Sequence, residues 1–219
     1  MTGARIPSEP PFQPRAEPAV ERAANDPDLP DLIARCLDGD QAAFAALYER
    51  YAPALYRLAY GVLLDPHDAE DVLQESMVYA FRNLARYDAA RGAFRTWLYT
   101  ITISRCRNAR RRKWLPTVTL GHLLTLGVEP PTPPAESPEA RAAWRELQAS
   151  LAEALRTLSP RLREAVALRY GQGLTYREMA EIIDCPQKTA ESRVRLAHEQ
   201  LRKAMSAADQ AALEELWSL

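Results

Sequence analysis

Residues 65 to 114 read DPHDAEDVLQESMVYAFRNLARYDAARGAFRTWLYTITISRCRNARRRKW, and this stretch decides the fold. Asp65 and Pro66 open a helix: a carboxylate at the N-cap is followed by a proline at the first helical position, where its missing N–H costs nothing. At 100° per residue Leu73, Met77, Ala80 and Leu84 share one stripe, while Asp68, Asp71 and Glu75 lie on the opposite one. The segment is therefore expected to be a helix with an apolar back and an acidic front. Arg86 to Gly92 interrupts the periodicity as a polar loop, and a second helix is expected from about Phe94. There Phe94, Leu98, Ile101 and Ala109 mark an inner face, and Trp97, Thr100, Ser104, Arg107 and Arg111 follow along a neighbouring one.

Residues 105 to 113 contain Arg105, Arg107, Arg110, Arg111, Arg112 and Lys113, six cations and no acid, enough to release several counterions condensed on DNA. Tyr87, Phe94, Trp97 and Tyr99 lie just ahead of them. Aromatic rings beside cations hold unstacked bases, each stack being worth roughly 1 to 3 kcal/mol. The competing interpretation makes the acids a solvated face and the rings core packing.

Outside this stretch the proline distribution draws the domain map. Thirteen of the 17 prolines fall in residues 1–30 or 115–139, and proline inside a helix removes a hydrogen bond. Those two stretches are expected to be an N-terminal tail and a flexible linker, with a first helical domain over 31–114 and a second over 140–205. The linker ends in EPPTPPAESPE and has too little apolar surface to offset its ordering. Within it Val118 to Leu126 has leucines enough for a short turn, and the remainder reads as a spacer. The expected architecture is all-α, since no alternating strand pattern or hairpin signal occurs. In the first domain Leu32, Ile33, Leu37, Phe44, Leu47, Tyr48 and Tyr51 recur at helical spacing over two short helices joined at Gly39 and Asp40. A third helix is expected from Ala54 to Leu64.

In the second domain Leu147, Leu151, Leu155 and Leu158 form a stripe. Ser159 and Pro160 then start a helix that Gly171 and Gly173 end. Thr175 and Glu178 make a T-x-x-E capping box for the next one. Asp184 and Cys185 turn the chain, and Pro186 starts a last long helix, which is helix-turn-helix spacing. Early residues of the second helix in such a module read base edges, so Gln187, Lys188, Glu191, Ser192 and Arg195 are the candidates for base contacts. Arg177 and Arg193 are better placed for phosphates.

The order DAEDVLQE, then FRTWLY, then an arginine-rich end resembles region 2 of bacterial sigma factors of the extracytoplasmic function (ECF) type. GLTYREMAEIIDCPQKTAESRVRLAHEQLR is similar to region 4 of the same family. The resemblance covers Phe44 to Trp114 and Leu147 to Arg202. It implies that Asp68, Asp71, Gln74 and Glu75 dock on core RNA polymerase. It further implies that Arg86, Tyr87, Arg91, Phe94, Trp97, Thr100, Ser104, Arg107 and Arg111 serve recognition and melting of a minus-ten promoter element. The helix-turn-helix residues would then read a minus-35 element, the linker would thread toward the polymerase active site, and an anti-sigma factor would occlude both domains. Glu191 and Leu196 stand where family members often carry basic residues, which puts the preferred promoter sequence in question. Residues 206–219 lie beyond the resemblance, and Leu213, Leu216 and Trp217 suit either a docked helix or a partner-binding tail.

Composition narrows the classes further. At 219 residues, 47% hydrophobic and 26% charged, the chain can build real cores, and a net charge of −1 argues against a generally basic coating protein. No secretion signal or membrane insertion is expected. Cys36, Cys106 and Cys185 lack metal or disulfide spacing and read as reduced thiols in a cytoplasm. Cys106, between Arg105 and Arg107, is the best candidate for an activated thiol, against a competing interpretation as an inert packed one. No catalytic set, metal cluster or phosphate-binding glycine loop is present and no cofactor is expected; His67, His122 and His198 are isolated. An autonomous helix-turn-helix regulator is the alternative function, although such a protein has no need of the acidic DAEDVLQE face.

Overall fold

The computed structural model describes residues 27–113 and 138–211, so the N-terminal tail, most of the linker including Val118 to Leu126, and residues 212–219 lie outside the described residues. Every regular element among the described residues is helical. Helix α1 (Leu29–Leu37) has proline in its first turn and buries Leu29, Leu32 and Cys36. Gly39, at φ +88°, makes the turn that follows. Asp40 then caps α2 (Gln41–Leu63), accepting the Ala42 and Ala43 N–H groups at 2.8 and 3.3 Å. The Arg35 guanidinium holds the other oxygen of Asp40 at 2.6 and 2.8 Å and keeps this carboxyl below its usual range.

Helix α2 corrects the expectation of separate helices meeting near Pro53, because it runs unbroken through that residue. Pro53 is exposed, so its missing hydrogen bond falls on the solvent side. Leu47 and Tyr51 before it and Leu55, Leu58 and Val62 after it bury along one continuous stripe. Each of those fully buried leucines contributes about 1.5–3 kcal/mol, which outweighs the lost bond. The helix stops where Leu64 enters the left-handed conformation at φ +56°.

Helix α3 (Pro66–Arg82) begins as the sequence indicated, with the Asp65 side chain accepting the Asp68 N–H at 3.0 Å. Its buried face is Val72, Leu73, Ser76, Met77 and Ala80. A short 3-10 turn (Leu84–Arg86) and a loop lead into α4 (Phe94–Lys113). Edge contacts between Phe44 and Phe81 (5.0 Å) and between Tyr51 and Phe94 (5.2 Å) lock α2 against α3 and α4.

The second domain contains α5 (Pro138–Thr157), α6 (Pro160–Val166), a π-helical turn (Ala167–Gly171), α7 (Tyr176–Ile183) and α8 (Gln187–Ala204). Ser159 occupies the N-cap of α6, its carbonyl accepting the Arg163 N–H at 3.0 Å, but its hydroxyl makes no capping bond. The capping box forms as expected: the Thr175 hydroxyl accepts the Glu178 N–H, and Glu178 accepts the Thr175 N–H at 2.8 Å. Asp184, left-handed at φ +51°, makes the turn between α7 and α8.

Leu147, Ala154, Leu158, Leu162, Ala197 and Leu201 form a core between α5, α6 and α8, which Met205 extends. Beyond it, Ser206 caps a further turn by accepting the Asp209 N–H, and Asp209 accepts a bond from the Ser150 hydroxyl at 2.8 Å. Residues 206–211 are thus tied to α5 at Ser150, while Leu213, Leu216 and Trp217, on which both readings of the C-terminal extension rest, lie outside the described residues. The larger core is shared: Leu168, Leu174, Met179 and Ile183 bury in one cluster with Leu58, Leu98 and Ile103. The two domains are therefore packed against each other, an arrangement that a sequence pattern read domain by domain does not contain.

Candidate polymerase and nucleic-acid interface

Apolar packing on one side of α3 obliges its acids to the other. Asp71 and Gln74 are exposed there, and Asp68 and Glu75 are half-buried. Glu75 is already engaged, its Oε1 accepting from Arg112 Nη2 of α4 at 2.9 Å. One turn on, Tyr79 lies under Arg105, whose guanidinium carbon is 4.6 Å from the ring centroid. The acidic front of α3 is thus stitched along its edge to the cationic end of α4.

The loop between these helices is tied by the Tyr87 hydroxyl, which donates to the Gly92 carbonyl at 3.2 Å. Tyr87, Phe94 and Trp97 form a cluster with centroids 4.9–5.6 Å apart. Arg86 and Arg91 are exposed beside it, and Trp97 and Tyr87 are half-buried. Phe94 and Tyr99 are different: at 2% and 1% exposure they are core residues. The expectation that these two rings hold bases gives way to the packing interpretation, because Phe94 is enclosed by Tyr51, Tyr87 and Trp97. Thr100, Ser104 and Arg111 are exposed along α4.

Cys106 is fully buried and burial, followed by the nearby Glu164 charge, pushes its thiol up to about 12. Its flanking arginines point elsewhere, so it is the inert packed thiol and not an activated one. On α8, Gln187, Lys188, Glu191 and Arg195 are exposed, and Ser192 and Arg193 are half-buried. Arg195 pairs with Glu199 at 2.9 Å, and Arg177 on α7 with Glu181 at 3.5 Å.

Sequence reasoning missed the groups that join the domains. Glu164 on α6 is 0% exposed as a residue. Its carboxylate accepts from Arg107 Nε at 3.2 Å and Nη2 at 2.8 Å, and from Arg110 Nη1 at 3.3 Å. Nearby, the buried Tyr99 hydroxyl donates to Gln172 Oε1 at 2.6 Å, and Arg95 approaches Glu178 at 3.9 Å. These partners stand 54 to 73 residues apart for the three hydrogen-bonded pairs, a separation at which no local periodicity operates. The only local signal was a glutamate beside Ala165 on the inward side of a short helix.

With this geometry in view, the comparisons with known proteins agree on one family. Residues 47–115 match Sigma-70 region 2, and residues 148–201 match Sigma-70, region 4. The RNA polymerase sigma-H factor of Pseudomonas aeruginosa is 30% identical over 191 residues, 80% of this chain and 92% of that protein. The ECF RNA polymerase sigma factor SigW of Bacillus subtilis is 30% identical over 171 residues, 76% and 91% of the two chains. The ECF RNA polymerase sigma-E factor of Escherichia coli is 34% identical over 187 residues, 77% and 89%. In fold, the chain is similar to CnrH in its complex with the cytosolic domain of CnrY: TM-score 0.55, 24% identity, 78% of this chain and 93% of that one. The sigma factor RpoE bound to the anti-sigma factor NepR from Bartonella quintana gives the same TM-score at 21% identity, over 74% and 95%. The chain belongs to the sigma-70 family of RNA polymerase sigma factors, within its ECF group.

Proposed function

We propose that this chain binds core RNA polymerase through the acidic front of α3 and directs it to promoters read by its two domains. Asp71 and Gln74 present the most accessible part of that front, with Asp68 and Glu75 at its margins. Arg86, Tyr87, Arg91 and Trp97 are the groups suited to holding unpaired bases of a minus-ten element. Thr100, Ser104, Arg107 and Arg111 continue along α4 for its backbone. Buried Phe94 supports this surface from beneath. On α8 Gln187, Lys188, Glu191, Ser192 and Arg195 face a minus-35 major groove, with Arg177 and Arg193 toward phosphates.

The observation that carries the proposal is the adjacency of opposite charges within one domain: an acidic, exposed α3 beside a cationic α4. A stand-alone helix-turn-helix regulator uses the second domain and has no role for the first domain's acidic face. The role proposed is regulatory and non-catalytic, in the cytoplasm where polymerase works, and an anti-sigma factor is the expected inhibitor. No helix among the described residues is long and apolar enough to cross a membrane. The test is assembly: purified chain added to core polymerase should co-elute with it and support run-off transcription from a subset of genomic promoters. A chain that binds promoter fragments unaided yet never associates with core would move the assignment to the autonomous regulator.

A further inference from the structure

Glu164 does not neutralise the cations gathered around it. Between α4 and the second domain lies a cleft of about 490 Å³. Arg107, Arg110 and Arg111 of α4, Arg161 of α6 and Arg193 of α8 line it, against two carboxylates, Glu164 and Asp184. Five cations against two anions leave three positive charges uncompensated. Arg107 and Arg110 share the Glu164 carboxylate at 2.8 and 3.3 Å, while Arg111 bonds to the uncharged side-chain oxygen of Asn108. Arg161 and Arg193 form no ion pair among the described residues. Next to them on α6, Arg163 buries its Nε without a hydrogen-bond partner, and burial, then the Arg110 charge, hold it below its ordinary value. A guanidinium keeps its proton in proteins, so the surplus is relieved by an anion and not by titration.

The walls of the cleft are set in advance. The buried Tyr99 hydroxyl bonds to Gln172 at 2.6 Å, and Gly61 of α2 lies so close to the π-helical turn that a Cβ there would sit 3.1 Å from Ala167 Cβ. Glu164, with no exposed surface, fixes the forks of Arg107 and Arg110 from behind. Such forks match the paired oxygens of carboxylate or phosphate. Phosphate is favoured by the charge: a terminal phosphate carries about −1.5 to −2 and an inner one about −1, so a diphosphate comes close to the excess of three. The volume is in the range of small-ligand sites, roughly 300–1,000 Å³, and leaves room beyond the phosphates for an organic group against Ile183 and Asn108.

We propose that this cleft is a binding site for a diphosphate group, carried by inorganic diphosphate or by a nucleotide. Arg111, Arg161 and Arg193 supply the uncompensated charge, Glu164 positions Arg107 and Arg110, and the Asp184 carboxylate opposes the anion and limits its affinity. The ligand touches α4, α6 and α8 together, so its binding stabilises the folded chain as a whole.

Isothermal titration calorimetry on the full-length chain tests this, with pyrophosphate, ADP and GDP as probes and orthophosphate, sulfate and adenosine as comparisons. One diphosphate should bind per chain, about tenfold or more tighter than orthophosphate or sulfate, since each further charged hydrogen bond is worth about that factor. Pyrophosphate binding as tightly as ADP and GDP identifies the diphosphate alone as what is recognised, and tighter binding of either nucleotide identifies a nucleotide. Arg161→Ala and Arg193→Ala, checked for helicity by circular dichroism, should each weaken pyrophosphate about tenfold and abolish the rise in melting temperature that it gives wild type. Asp184→Asn should bind more tightly; asparagine tolerates the left-handed turn at φ +51° and removes the opposing charge. Arg156→Ala, an exposed arginine on α5 paired with Glu153, should change nothing. Pyrophosphate, ADP and GDP binding no tighter than sulfate, several anions per chain, or an equal loss in Arg156→Ala overturns the proposal, leaving only a diffuse cationic surface. None of these measurements involves polymerase, so their failure is distinct from failure of the sigma-factor assignment, which co-elution with core polymerase reads separately.

Discussion

Tyr170, in the π-helical turn, bonds through its hydroxyl to Nε2 of His198 on α8, with the two ring centroids 5.1 Å apart. Burial holds His198 below its ordinary value, with the Arg202 charge adding to the effect, and burial pushes Tyr170 up to about 12. Near neutral pH both rings are therefore uncharged, so Tyr170 donates and the imidazole accepts. This bond ties the turn after α6 to α8.

A pH dependence follows from the sign of the histidine shift. Because the folded value is depressed, the unfolded chain takes up the proton first. The contribution is complete above the unfolded pKa of about 6.5 and is lost as pH falls from there through the folded value. Thermal melts followed by circular dichroism should lose stability between pH 7 and 5 more steeply in wild type than in His198→Gln. Tyr170→Phe should cost about 1 kcal/mol at pH 7, the ordinary worth of one such bond. Parallel slopes in wild type and His198→Gln would show that other groups dominate the titration.

The thiols should separate by burial. Cys36 and Cys106 are buried with their thiols pushed up, whereas Cys185, between α7 and α8, is partly exposed. Maleimide labelling of native protein, read by mass spectrometry, should modify Cys185 first and leave Cys106 unmodified until denaturant is added. Rapid labelling of Cys106 in the folded chain would contradict its packing between α4 and the second domain.

On α3 the proposed polymerase contacts are separable from those that support the fold. Asp71→Lys with Gln74→Lys reverses the exposed front without touching a buried atom, and should abolish co-elution with core polymerase at unchanged melting temperature. Glu75→Lys is a poorer probe, because it faces Arg112 at the position where a 2.9 Å ion pair now forms. That partly exposed pair is worth at most about 1 kcal/mol, so the expected destabilisation is small.

Strand opening provides another measurement. Arg91→Ala removes an exposed cation from the loop, and Trp97→Ala removes a half-buried ring tilted against Tyr87. Open complexes, seen as permanganate-reactive thymines, should weaken by roughly 1–3 kcal/mol for the ring, the scale of one base stack, while closed complexes change less. Trp97→Ala must be compared with its own melting curve, since the ring also packs on Phe94 at 5.5 Å.

What could be read from the sequence follows the range of the interaction. Asp65 at a helix start, the Thr175–Glu178 capping box and the apolar stripe of α3 are set by neighbours within four residues, and they form as expected. Pro53 misled because a propensity rule was applied where burial on both flanks of α2 prevails. Helical phase already set Phe94 on the inner face, so its assignment to bases as well conflicted with the periodicity, and Tyr99 is buried with it while Trp97 stays half-buried. Glu164, Gln172 and Gly61 could not be found, because each is defined by a partner in the other domain.

Glu191 offers the sharpest test of promoter reading. It is exposed in the second turn of α8, a position where the family often places a basic residue. Its neighbour one turn on, Arg195, turns the other way and pairs with Glu199 at 2.9 Å. A carboxylate facing a major groove is repelled by phosphates and by the acceptor edge of guanine, and accepts a hydrogen bond from cytosine N4. Arginine in its place would favour guanine. Selection from a promoter library randomised at the minus-35 element, with core polymerase and either wild type or Glu191→Arg, should therefore change the consensus at one position by roughly 1–3 kcal/mol. Lys188→Ala, acting on phosphate, should weaken binding almost equally across sequences and flatten its salt dependence. Identical consensus sequences from wild type and Glu191→Arg would mean that Glu191 reads no base, and that discrimination rests on Gln187, Ser192 and Arg195.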